Sequence, residues 1–322
     1  MDSALLEPYI PRNFCRDYAL IKQGHGQLTM FMSLVLGIKP LMDDWMPVKK
    51  VKEFRKICKK YNLYVREDVI FENVNKESVP DNVLGREFLS TTSAYGHPLG
   101  SREDGQVHVF ISKDKRLFEK CMWYPVIIGN RVIFQPRIDS LKYGYILGYP
   151  ECCIKFFRKY NDWLKFSHLY QAYLNTKANP SFLCNPFLKD TVFSYIYHMP
   201  CSYSCRQTIK LANKLRNEIK KREPEYVKIT DSRLKMPFLV FYERKFYCFD
   251  GELRGNLVRF KRAYFPAPHR HEDRYSADFK KIDRLELKGR SIVLFKRNKI
   301  LKNLDVPLNT FAPEYPFLIQ FS

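Results

Sequence analysis

The segment from Leu147 to Cys205 constrains this chain most, because it sets four of the nine cysteines into two tight clusters that one fold must accommodate. It opens with Leu147-Gly148-Tyr149-Pro150-Glu151-Cys152-Cys153-Ile154 and closes with His198-Met199-Pro200-Cys201-Ser202-Tyr203-Ser204-Cys205. Each cluster stands beside a Gly or Pro that fixes a turn, so an antiparallel return of the intervening chain brings both into one pocket. Pro150 suits a helix start, where its missing N–H is not needed, and Glu151 suits the positive end of the helix dipole. Cys152 and Cys153 then fall in the first turn, where the dipole favours the thiolate that binds metal or attacks an electrophile.

Three chemistries fit this set. Four thiolates, Cys152, Cys153, Cys201 and Cys205, can ligate an iron–sulfur cluster. His198, Cys201 and Cys205, with one of the adjacent pair, have acceptable spacing for a tetrahedral zinc. Without metal, Cys201 or Cys153 is a candidate nucleophile with His198 as its base. Clustered thiols in a reducing setting favour metal, and adjacent thiolates lean the choice slightly toward the cluster. Glu151, the carboxylate next to the cysteines, and His198 are the candidate acid–base residues. Cys184, between Pro180 and Pro186, is a spare thiol.

The adjacent pair with a distant close pair resembles the cysteine-rich domains of heterodisulfide reductases and of an epoxyqueuosine-reducing family, where such cysteines hold iron–sulfur clusters; here the second pair is CxxxC rather than CxxC. The combination Leu147-Gly148-Tyr149-Pro150-x-Cys152-Cys153-Ile154-x-x-Phe157 with His198-x-Pro200-Cys201-Ser202-x-x-Cys205 resembles a family of archaeal and bacterial proteins built around LGYPxCC and HxPCSxxC, for which no activity is established. The likeness covers about residues 140–265, and the stretch from Gly24 to Pro40 also looks similar. It implies a shared site and a cytoplasmic setting, and it leaves the reaction open.

Charge ranks the partners. With 55 Lys and Arg against 34 Asp and Glu, the formal net charge is +21, which selects RNA or another polyanion as the first expectation. The patch that coincides with the chemistry is on a helix expected over Cys205 to Lys221. Arg206, Lys210, Lys214 and Lys221 share one face of it, and Leu211, Ala212, Leu215 and Ile219 share the other. A second helix after Pro47 carries Lys49, Lys52, Lys56, Lys59 and Lys60 around an apolar side of Val51, Phe54, Ile57, Cys58 and Tyr61. His25, His97 and the pair His269 and His271 are loop residues, better read as solvated than as ligands. An odd cysteine number with no leader-like N-terminus argues against a disulfide framework and for a reducing cytoplasm. The most apolar early run, Leu28 to Ile38, is too short to span a bilayer.

A hydrophobic content of 45% and 15% aromatic residues mark a globular chain. The expected fold is α+β, in three parts. Residues 1–140 form a mixed region, with helices over Arg16 to Leu36 broken at Gly24-His25-Gly26. Residues 141–224 form a helical Cys/His core, with helices between Asp162 and Tyr197. Residues 225–322 form a basic β-rich module whose strands begin beyond Pro224.

Overall fold

Helices α1 (Arg16–Ile21) and α2 (Gln27–Val35) flank the expected glycine break. Leu28, Phe31 and Met32 of α2 are fully buried. The computed structural model describes residues 6–22, 27–73, 94–97, 103–121, 126–128, 131–134, 140–160, 167–242, 245–266, 275–306 and 316–322. His25, His269, His271, Trp163, Phe166 and the side chain of His97 lie outside the described residues. The chain divides into one compact unit of Asp17–Ile21 with Met30–Ile154, and another of Met1–Arg16 and Lys22–Thr29 with Lys155–Ser322.

In the first unit, β1 (Leu41–Pro47), β2 (Tyr64–Asn73), β3 (Ala94–His97) and β4 (Gln106–Ser112) build an antiparallel four-stranded sheet in the order β1-β4-β2-β3, with α3 (Val51–Lys60) between β1 and β2 in the chain. Strand β1 follows Pro40 directly and was not expected, because two acidic residues interrupt its apolar run. Asp44 is nevertheless buried there, where it accepts from the Tyr18 hydroxyl at 2.8 Å. In α3, Phe54, Ile57 and Cys58 face inward and the lysines outward, as the periodicity requires. Strands β5 (Val126–Ile128) and β6 (Arg131–Phe134) pair antiparallel. Helix α4 (Ser140–Ile146) leads into α5 (Glu151–Lys159). Leu147 packs with Leu41, Phe110, Phe118 and Cys121, and Tyr149 lies against the same cluster, so the turn between the helices is part of this core.

The second unit contains α6 (His168–Leu174), α7 (Arg206–Lys220), α8 (Pro224–Leu234) and α9 (Ser276–Phe279). Its strands are β7 (Pro237–Tyr242), β8 (Lys245–Arg254), β9 (Leu257–Tyr264), β10 (Arg284–Lys288), β11 (Ser291–Lys296), β12 (Lys299–Asp305) and β13 (Phe317–Gln320). They form a seven-stranded antiparallel sheet in the order β12-β11-β10-β9-β8-β7-β13. Each strand lies beside its sequence neighbour until β13, which returns to pair with β7. Helix α8 corrects the expectation that strands begin at Pro224. That proline is the first helical residue, where it ends nothing, and Tyr226, Val227, Thr230 and Leu234 bury one helical stripe. Arg216 on α7 forms a two-pronged ion pair with Asp231 on α8, which also accepts from the Tyr195 hydroxyl at 2.8 Å.

Between α6 and α7 the chain makes only a 3-10 turn at Phe182–Cys184, in place of the helices expected there. Asparagines and prolines interrupt any helical period. The aromatic side chains instead pack as a cluster, with Phe187 stacked on Phe238 at 5.0 Å and edge-on to Tyr203, Phe246 and Phe321.

Candidate metal centre

The first cysteine pair is delivered by a helix–turn–helix corner whose geometry follows from its sequence. Helix α4 ends with Gly148 at φ +74°, the Gly148 N–H bonded to Tyr145 O at 3.0 Å and the Tyr149 N–H to Gly144 O at 3.0 Å. This is the paired closure typical of a helix ending on a left-handed glycine. Pro150 O then accepts from the N–H groups of Cys153 at 2.9 Å and Ile154 at 3.0 Å, which starts α5 with both cysteines in its first turn. Gly144 leaves room for Ile154, whose Cγ1 would stand 2.9 Å from a Cβ placed there.

The second pair sits in a loop pinned at its centre. Tyr203, fully buried between Cys201 and Cys205, donates its hydroxyl to Leu169 O at 2.7 Å and its N–H to Thr176 Oγ1 at 2.9 Å. Its carbonyl accepts from the Ser181 N–H at 2.8 Å. Cys205 is the N-cap residue of α7, and its carbonyl accepts the first helical bond from Ile209 at 2.9 Å. Cys152, Cys153 and Cys205 therefore stand at helix N-termini, where the partial positive charge favours the anionic sulfur, and Cys201 lies in the loop before α7.

The sulfurs of Cys152, Cys153, Cys201 and Cys205 all lie within 4.8 Å of one another, and those of the adjacent pair are 3.9 Å apart. Four sulfurs at about 2.3 Å from one tetrahedral ion stand about 3.8 Å from each other. The adjacent pair matches that spacing, and no pair needs a contraction of more than about 1 Å. It can hold a metal ion. Cys153 and Cys205 are buried, and Cys152 and Cys201 are half-buried.

The remaining expected site residues are not among the four grouped thiols. His198 is buried, and its Nε2 lies 3.0 Å from Thr208 Oγ1 on α7. Glu151 is exposed at the first position of α5. Cys184 is not one of the four grouped thiols; fully buried, its Sγ reaches Cys205 O at 3.6 Å and so touches the ligand loop rather than the centre. Cys58, Cys121 and Cys248 are core thiols that burial pushes up to about 12, with nearby carboxylates adding to the effect at Cys58. Arg206, Lys210, Lys214 and Lys221 are exposed along one side of α7 and its C-cap, and Lys221 pairs with Glu218.

Lys39 is the residue that sequence reading passed over. It is 1% exposed, its Nζ donates to Leu147 O at 2.6 Å, and the same Nζ lies 4.6 Å from the centre of the Tyr149 ring. The available signal was a lone lysine between Ile38 and Pro40 in an otherwise apolar passage. No family model, curated protein or solved structure matches the chain. Among the described residues no helix is long and apolar enough to cross a membrane.

Proposed function

We propose that this protein is a cytoplasmic zinc protein whose Cys152, Cys153, Cys201 and Cys205 thiolates close a structural site, and whose helix α7 presents a contact surface for RNA or a similar polyanion. The observation that carries the reading is the sulfur spacing, 3.9 Å within the adjacent pair and no more than 4.8 Å in the group. A four-iron cluster seats each thiolate on a different corner iron, which spreads the sulfurs wider than a single ion does. The spacing therefore supports one tetrahedral ion over the cluster toward which the adjacent thiolates lean in sequence. Four protein ligands also leave no open coordination position, which supports a structural role over a catalytic one. The ion, once bound, would cross-link the start of α5 to the loop that caps α7.

The polyanion surface follows from position. Arg206, Lys210, Lys214 and Lys221 span an arc of about 80° on an ideal helix and about 22 Å of its length. Among the described residues no carboxylate pairs with Arg206, Lys210 or Lys214. Nine free cysteines suit a reducing compartment.

Metal analysis of protein purified without oxygen tests the first part. One zinc per chain in colourless protein, replaceable by cobalt with the strong visible absorption of a four-sulfur tetrahedral site, is the expected result. Brown protein whose broad visible absorbance disappears in Cys153→Ala would replace zinc by a cluster, and protein that retains no metal would remove both. For the second part, binding to a structured RNA should weaken steeply with salt. The double variant Lys210→Glu, Lys214→Glu should bind more weakly and with a shallower salt dependence; unchanged binding would exclude α7.

A further inference from the structure

The turn that carries Cys152 and Cys153 is gripped from outside its own sequence. Lys39 and Pro40 approach it from the segment between α2 and β1. The Lys39 ammonium donates to the carbonyl of Leu147, the residue at which α4 stops, and sits over the ring of Tyr149. Pro40 lies against Gly148 so closely that a Cβ there would be 2.6 Å from the proline Cδ. Two adjacent residues thus hold three consecutive residues of the corner, which ends two residues before the first thiol.

A buried lysine is an expensive way to satisfy one carbonyl, since removing an ammonium from water costs several kcal/mol unless it is well partnered. Asp43 is the carboxylate whose charge supports it, and Asp43 is in turn held ionised against burial by His108, whose Nε2 lies 3.3 Å from Asp43 Oδ2. A methionine would fill the same volume in this core without that cost. What Nζ adds is direction, since it donates to the Leu147 carbonyl as an ammonium or as an amine. The four-residue link from Leu147 to Pro150 contains a left-handed glycine and a proline, and a fixed Leu147 carbonyl sets the angle at which α5 leaves it.

We propose that Lys39 is a positioning residue of the four-thiol centre, whose hydrogen bond to Leu147 O fixes the corner that presents Cys152 and Cys153 to the ion. Groups that orient metal ligands from outside the coordination sphere typically change metal affinity by about 10–100-fold when removed. The inference rests on the metal-centre reading above, and the experiment separates the two.

Zinc affinity of the full chain is measured by chelator competition for the parent, Lys39→Met, Cys153→Ala and the double variant, with the folding of each metal-free protein followed by circular dichroism. A parent that binds no zinc defeats the metal-centre reading itself. If the parent binds and Lys39→Met binds about 10–100-fold more weakly with its metal-free fold intact, positioning is supported. In the Cys153→Ala background the same change should cost less, because one of the two ligands it positions is gone. Equal zinc affinity in the parent and Lys39→Met, or an equal cost in both backgrounds, would overturn the proposal. Should Lys39→Met not fold, Tyr149→Leu takes its place: it removes the ring beneath the ammonium, a several-fold loss of affinity is expected, and no loss would count against positioning.

Discussion

Gly148 faces Pro40 at a separation that admits no side chain, its notional Cβ falling 2.6 Å from the proline Cδ while its backbone holds φ at +74°. Gly148→Ala therefore incurs two penalties, the left-handed conformation at about 1 kcal/mol and the displacement of a packed ring. The expected outcome is a loss of about 2–4 kcal/mol in urea unfolding. A loss under about 0.5 kcal/mol would mean that the corner relaxes freely.

Glu223 anchors the N-terminal segment through its carboxylate, which accepts from three successive backbone N–H groups: Arg12 at 3.3 Å, Asn13 at 2.5 Å and Phe14 at 2.7 Å. Glu223 is 3% exposed, and its removal takes the acceptor from all three N–H groups. Glu223→Ala should lower stability by about 2–4 kcal/mol and make the chain near Phe14 sensitive to limited proteolysis. Glu223→Gln, which keeps an acceptor oxygen, should cost less. Protease resistance unchanged in the alanine variant would contradict the anchoring.

Lys39 gives the protein a specific pH dependence. Burial depresses its amine from the usual 10.5 to about 7, opposed in part by the charge of Asp43. Because the folded value lies below the unfolded one, the unfolded chain binds the extra proton between them, and stability rises with pH across that window. The handicap is complete below about 7 and gone above about 10.5. Relative to Lys39→Met, the parent should gain at most about 5 kcal/mol between those limits. Parallel stability curves for the two proteins from pH 6.5 to 10 would show, contrary to expectation, that the amine keeps its proton.

Thiol titration separates the two classes of cysteine. Cys58, Cys121 and Cys248, pushed up to about 12 by burial, should stay silent toward a disulfide reagent near pH 8 until the protein unfolds. The four grouped thiols should react slowly in zinc-loaded protein and rapidly after chelation, with the half-buried Cys152 and Cys201 leading. Reaction of the four at the same rate before and after chelation would argue against bound metal.

Short-range features were legible because their causes are short-range. Gly148, Pro150 and Glu151 dictate a helix end and a helix start wherever the chain goes, and α5 begins at Glu151 as expected. The charged and apolar faces of α7 follow from a period of 3.6 residues, and its Thr208, Ala212, Leu215 and Ile219 are buried accordingly. The β-rich character of the C-terminal module was equally plain, since runs of apolar β-formers such as those of β7 and β8 recur there. Helix α8 was misread because one proline serves both to end a helix and to begin one, and the choice depends on whether the residues beyond it find a surface to bury against.

The amino-acid sequence by itself determined which residues could ligate metal, where the two thiol pairs enter helices, and that the chain is basic and mixed α+β. Only the tertiary structure decided that four sulfurs from pairs almost fifty residues apart gather within 4.8 Å, that His198 turns to Thr208, and that Lys39 reaches Leu147 across 108 positions. The division has one physical reason. Dihedral preferences, caps and amphipathic periods are set by neighbours along the chain, whereas a site is a set of distances between residues far apart in sequence, fixed only when all the intervening surfaces have packed.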